Sequence, residues 1–165
     1  TISGDIYVST DFMILTQERH NVDVSLRTAL KSASGNDYSN ARYYDNAGYF
    51  FDAAIGRKFV LNPGRSDLSI SASGGFLCWQ TDNGRQNDAF MYGLRLSYRY
   101  RGLSLSTEYG GYSGWEKDGD SPMTLKTNLS SRYGNLIFSI GHQVGLADWP
   151  FHQLRVGLSY IFHKK

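Results

Sequence analysis

The chain of 165 residues has one cysteine, Cys78, and only 3 prolines. A single thiol builds neither a disulfide framework nor a cysteine-based structural zinc site. Charge of one sign is also lacking. Lys and Arg total 17 and Asp and Glu 15, a net +2, which excludes a polybasic tract for nucleic acid. No apolar run approaches the ~18 residues that a membrane-crossing helix needs. The chain opens at Thr1 with no Met, basic n-region or apolar h-region, so the expectation is a processed or truncated chain. The mean hydropathy of −0.40 argues against a helical membrane protein. It does not bear on a membrane β-barrel, which needs apolar side chains only at alternate positions.

What is abundant is glycine (18), tyrosine (12), phenylalanine (9) and serine, arranged with a period of two. Leu154, Val156, Leu158, Tyr160 and Phe162 alternate with Arg155, Gly157 and Ser159. Met123, Leu125, Thr127 and Leu129 alternate with Thr124, Lys126, Asn128 and Ser130. Phe90, Tyr92, Leu94, Leu96 and Tyr98 alternate with Met91, Gly93, Arg95, Ser97 and Arg99. The same pattern runs through 5–15, 22–31, 49–58, 68–76, 103–112 and, less regularly, 136–145. Helical periodicity is nearly absent. The result is about nine strands of ~10–13 residues, an all-β antiparallel chain forming one domain over 1–165.

The connections alternate in length. Arg101-Gly102, Gly134-Asn135 and Asn62-Pro63-Gly64 read as tight turns. The segments 34–47, 82–88, 114–122 and 147–153 read as longer polar loops. Short turns at one end and long loops at the other are the habit of outer-membrane barrels.

A soluble barrel alternates too, with its apolar side inward. Two features favour the inverted arrangement. The apolar parity carries almost no charge, Arg57 being the clear exception near a strand end. The polar parity is rich in Gly, Ser, Asn and Gln rather than the Lys, Glu and Thr of a solvated sheet. Aromatics gather towards strand ends (Tyr98 and Tyr100, Tyr112 and Trp115, Tyr160 and Phe162), as in interfacial girdles. The expected fold is therefore an antiparallel transmembrane β-barrel of a Gram-negative outer membrane, with a soluble barrel as the alternative.

If the last strand ends in the periplasm, the long loops are extracellular and the first strand starts on the extracellular side. An odd strand count with that polarity leads to the expectation that N-terminal strands precede this chain in a barrel of ten to twelve. Merging two candidates would give eight.

Residues 4–35 (GDIYVSTDFMILTQERHNVDVSLRTALKSASG), 43–59 (YYDNAGYFFDAAIGRKF), 112–122 (YSGWEKDGDSP) and the terminal LRVGLSYIF carry a resemblance that covers most of the chain. Together they resemble the transporter-like outer-membrane barrels grouped with the meta-pathway (phenol-degradation) family. That resemblance implies a barrel that passes or binds small molecules, and a longer chain in which the first of these stretches is internal. Leu158-x-Tyr160-x-Phe162 also resembles the signal read by the barrel assembly machinery, with three residues following the Phe.

The polar parity supplies the expected lumen: Arg27, Lys31, Lys58, Arg95, Arg99, Lys126, Arg132 and Arg155, against Asp11, Asp23, Asp52 and Glu108. Bases outnumber acids, which reads either as an anion-favouring channel or as a salt-bridged interior plug. Aromatic loop residues Tyr38, Tyr43, Tyr44, Trp115, Trp149 and Phe151 are candidates for extracellular contacts or for folding over the mouth. An enzyme has little support. Ser139 and His142 are three apart and fall on opposite faces of a strand. His20, His152 and His163 fall in turns or at the terminus without ligand spacing, so no metal site is expected. Glu116 to Asp120 and Asp82-Asn83-Gly84 read as solvated turns, and Gly74-Gly75 and Gly110-Gly111 as bulges or bends.

The expected function is small-solute passage, or a structural role in a larger outer-membrane assembly, with lipid modification a distant third. No catalytic residue or cofactor is expected. Expected partners are outer-membrane lipid and lipopolysaccharide, a small solute and a neighbouring barrel chain, and not nucleic acid.

Overall fold

The structure is a computed structural model that describes residues 5–35, 46–80, 86–115, 120–148 and 150–162. Tyr38, Tyr43, Tyr44, Trp149, the turn Asp82 to Gly84, Glu116 to Gly119 and His163 lie outside the described residues.

Alternation at period two produces nine strands: β1 (Tyr7–Leu15), β2 (Asp23–Lys31), β3 (Gly48–Asn62), β4 (Ser66–Gln80), β5 (Gln86–Tyr100), β6 (Leu103–Gly114), β7 (Met123–Tyr133), β8 (Leu136–Ala147) and β9 (His152–Tyr160). They form one antiparallel sheet in sequence order, each strand paired with the next. The chain is all-β, as its alternation requires. Short links join strands at one end: Arg101-Gly102 and Gly134-Asn135 are turns, and Arg101 and Gly134 take positive φ of 53° and 58°. In both turns it is the first residue of the link that takes the left-handed conformation. At Gly134 that conformation is free of any Cβ penalty.

Three strands run longer than the alternation alone indicates. β3, β4 and β5 have 15 residues each, so the expected loop 82–88 shrinks as β5 begins at Gln86. The link 16–21 contains a single helical turn, α1 (Gln17–His20), closed by Asn21 at φ 63°. Its role is local. β3 extends past its pairing with β2, and the Gln17 side-chain amide meets the overhanging backbone at Lys58. There Nε2 donates to the Lys58 carbonyl and Oε1 accepts from the Lys58 N–H, both at 2.7 Å. One glutamine thus satisfies two backbone groups that β2 does not reach.

The two faces differ in a way that inverts the usual protein interior. On β3, Tyr49, Phe51, Ala53, Ile55 and Arg57 are exposed, and the intervening Phe50, Asp52, Ala54 and Gly56 are half-covered. Phe12, Leu26, Leu94, Leu96, Phe138, Ile140, Val156 and Leu158 are likewise exposed. The sheet curls so that a groove of about 550 Å³ is lined by the polar parity from Arg27 on β2 to Lys126 on β7.

Among the described residues, the buried apolar side chains are Ala29, Leu77, Cys78 and Ala89. Three of them lie in one cross-sheet row, Ala29–Phe50–Leu77–Ala89, near the ends of strands that lead into the long loops. The core is therefore a shallow band near one rim of the concave face, with the remainder of that face polar. β1 and β9 run in the same direction and, among the described residues, do not pair with one another.

Candidate functional site

The candidate site is the concave polar face. Residues directly opposite in an antiparallel ladder share a face, so the register shows what each charged side chain meets. One row runs Asp11–Arg27–Asp52–Gly75–Met91–Tyr112 across β1 to β6. Arg27 Nε donates to Asp11 at 2.8 Å and lies between two carboxylates. Another row runs Asp23–Gly56–Ser71–Arg95–Glu108–Lys126–Gln143–Gln153. Arg95 and Glu108 approach to 3.4 Å. Nearer the tight turns, Asp67 accepts from Arg99 Nε at 2.9 Å and lies 3.6 Å from Lys58 Nζ. Between the first two rows runs one of small side chains, Ser25–Ala54–Ser73–Gly93–Gly110–Thr124–Gly145, which leaves the floor of the groove low.

The twelve basic and acidic side chains expected in the lumen all fall on this face, but not in one environment. Arg27, Asp52, Arg95, Glu108 and Lys126 line the groove together. Lys58, Arg99 and Arg132 sit towards the tight-turn end, where Arg132 Nε donates to the Gly134 carbonyl at 2.9 Å. Arg155 donates through Nη2 to Gln143 Oε1 at 3.2 Å and to Gln153 Oε1 at 2.9 Å. Lys31 departs from the expectation of a wet lumen residue. It is buried near the long-loop rim, ion-paired with Asp5, with its ammonium 5.5 Å from the centre of the Trp79 ring. Trp79 in turn meets Tyr112 at 6.3 Å.

Several readings are corrected. Asp120, expected in a solvated turn, is buried and accepts from Asn87 Nδ2 at 2.8 Å. Of the two readings of Gly74-Gly75 and Gly110-Gly111, bulge or bend, the bulge is excluded, because the register runs through both pairs without a shift. Gly75, Gly110 and Gly111 serve close approach, and a Cβ on Gly110 would lie 2.7 Å from the Tyr92 carbonyl oxygen, whereas Gly74 has ordinary room. His152 is not in a turn but opens β9, where its Nδ1 lies 3.3 Å from Nε2 of His142. The ring centroids are 5.5 Å apart, so the nitrogens face each other edge to edge as in an N–H···N bond rather than through stacking. Ser139 and His142 lie on opposite faces, as alternation requires. Trp115 is exposed at the end of β6, and Phe151 lies before β9.

Gln143 falls on the polar face as its parity with Ser139 and Gly141 indicates, and Asp67 and Gln153 are polar-face residues that sequence reasoning missed. Asp67 shares the parity of Ser69 and Ser71, but it lies just outside a strand taken to start at Leu68. Among the described residues, no three His, Cys, Asp or Glu side chains are grouped to hold a metal ion.

No family model matches the chain, and no curated protein or solved structure shows detectable similarity to it.

Proposed function

We propose that this sheet is the greater part of the wall of an outer-membrane β-barrel whose polar face lines a path for small polar solutes. One observation carries the reading: across nine strands the apolar parity faces outward and exposed, and charge is almost confined to the concave face. In water, a convex surface of Leu, Ile, Val and Phe this broad is an aggregation hazard. In lipid it is the required wall. Strand lengths of 9 to 15 residues are sufficient, since a tilted strand of ~9–11 residues crosses the hydrocarbon layer. Tyr98, Tyr100, Tyr133 and Tyr160 stand exposed near the tight-turn end, the position of an interfacial girdle.

Because β1 and β9 point the same way, antiparallel closure takes an odd number of strands in addition to these nine. In lipid neither edge can remain unpaired, since its backbone groups would have no partner. A neighbouring chain covering those edges is the second reading. The paired charges Asp11–Arg27, Arg95–Glu108 and Asp67–Arg99 favour it, because a salt-bridged interior suits a non-conducting wall.

Planar-bilayer recording on the purified, heat-modifiable protein separates the two. Discrete conductance steps are expected for passage. Their absence, with the SDS-PAGE shift retained, supports the interaction role. Loss of the shift together with full solubility without detergent overturns the barrel.

A further inference from the structure

The charges on the wall are not evenly distributed. β1 to β6 each carry one carboxylate, and their six acids are matched by six Lys and Arg residues. β7, β8 and β9 carry no Asp or Glu at all, and hold Lys126, Arg132 and Arg155. One sector of the sheet is therefore neutral and the neighbouring sector has a charge of +3. The ion pairs Asp11–Arg27, Arg95–Glu108 and Asp67–Arg99 all lie in the neutral sector.

From this asymmetry we infer that the concave face of β7 to β9 is a binding wall for small oxyanions, carboxylate or phosphate in chemistry. The inference rests on the barrel reading and names the solute class. The side chains are arranged to donate. Arg155 holds the Oε1 atoms of Gln143 and Gln153, which leaves both amide NH2 groups as donors beside it. Lys126 stands in the same cross-strand row as these two glutamines, adding an ammonium. An oxyanion at this place meets a planar guanidinium, two amides and an ammonium; the neighbouring carboxylate, Glu108 on β6, lies opposite Lys126 and is paired with Arg95 on its far side at 3.4 Å.

The cations are also spaced along the path. Lys126 is level with Gln143 and Gln153, and Arg155 lies two residues, or about 7 Å, nearer the tight turns. Arg132 lies six residues, about 20 Å, from Lys126 along β7. Steps of this size are comparable to the ~10 Å over which charge acts at 0.1 M salt, so an anion leaving one station already senses the next. Conduction needs such binding, strong enough to admit the ion and divided enough to release it.

The test uses the full chain in detergent and in bilayers, with inorganic phosphate and KCl as probes. Line broadening of the phosphate 31P resonance should saturate with wild-type protein. It should fall several-fold in K126Q and in R155Q and disappear in the double variant. R19Q/R57Q, which removes two cations away from the polar face, should bind as wild type. Failure of wild type to bind phosphate, or binding unchanged in K126Q/R155Q, overturns the inference whether or not the protein conducts. In a KCl gradient, wild-type reversal potentials should show anion preference that falls to near unity in K126Q/R155Q. Conductance with cation preference would overturn the anion wall while leaving passage intact. Phosphate binding without conductance would overturn passage while leaving the wall intact.

Discussion

Lys31 and Asp5 form an ion pair in which each side chain is only 4% exposed. Lys31 also donates to the Asn46 carbonyl and lies over the Trp79 ring, so the pair ties the lead into β1 to the end of β2 and the start of β3. Breaking such a pair from one side leaves a buried charge without its counterion, which costs about 3–5 kcal/mol. K31M should therefore lower the urea unfolding midpoint strongly. K31M/D5N should recover most of the loss, because the second change removes the stranded charge. Equal destabilisation in the single and double variants would show that the pair is not the source.

The outward face gives a second expectation. Leu94 lies in the middle of β5 with its side chain exposed on the apolar parity. In a bilayer, L94R should cost about 2–4 kcal/mol, the range for arginine at the midplane of a barrel wall. S97R, three residues on and facing the groove side, should cost well under half of that. Unfolding titrations in liposomes compare them directly, and equal costs would place both residues in the same medium.

Glycine tolerance should follow the space available. A Cβ at Gly110 would meet the Tyr92 carbonyl oxygen at 2.7 Å, backbone that cannot move without parting β5 from β6. G110A should cost about 1–3 kcal/mol, the range for overpacking. A Cβ at Gly74 meets Phe90 at an ordinary 3.6 Å, so G74A should be close to neutral. Thermal or urea midpoints check the pair.

Cys78 lies on the outward parity yet is buried. Its thiol should react with an aqueous maleimide many-fold more slowly in the folded protein than in urea, as burial restricts access. Rapid labelling under native conditions would contradict the packing at this rim.

The faces were legible because they depend only on parity. Arg95 and Leu94 are adjacent in the chain and therefore lie on opposite faces of the sheet, and no long-range knowledge is needed to say so. Partners were less legible. Arg95 opposite Glu108 and His142 beside His152 depend on register between strands, which the alternation within one strand does not encode. The four residues of α1 are too few to show a helical period. Lys31 reads as one more basic lumen residue, and its burial comes from Asp5 and Trp79, brought to it by two separate strand ends. Asp120, which lies between β6 and β7, is a similar case, since its partner Asn87 lies on β5.

The central claim is that the convex apolar face meets lipid and the concave polar face meets water. Single cysteines at 93 to 98 on β5, placed in a C78S background and spin-labelled, test it in liposomes. The labels at 94, 96 and 98 should show high collision with oxygen and low collision with a water-soluble nickel chelate, and those at 93, 95 and 97 the reverse. The opposite phase, or uniform access to the nickel chelate at every site, would contradict the account.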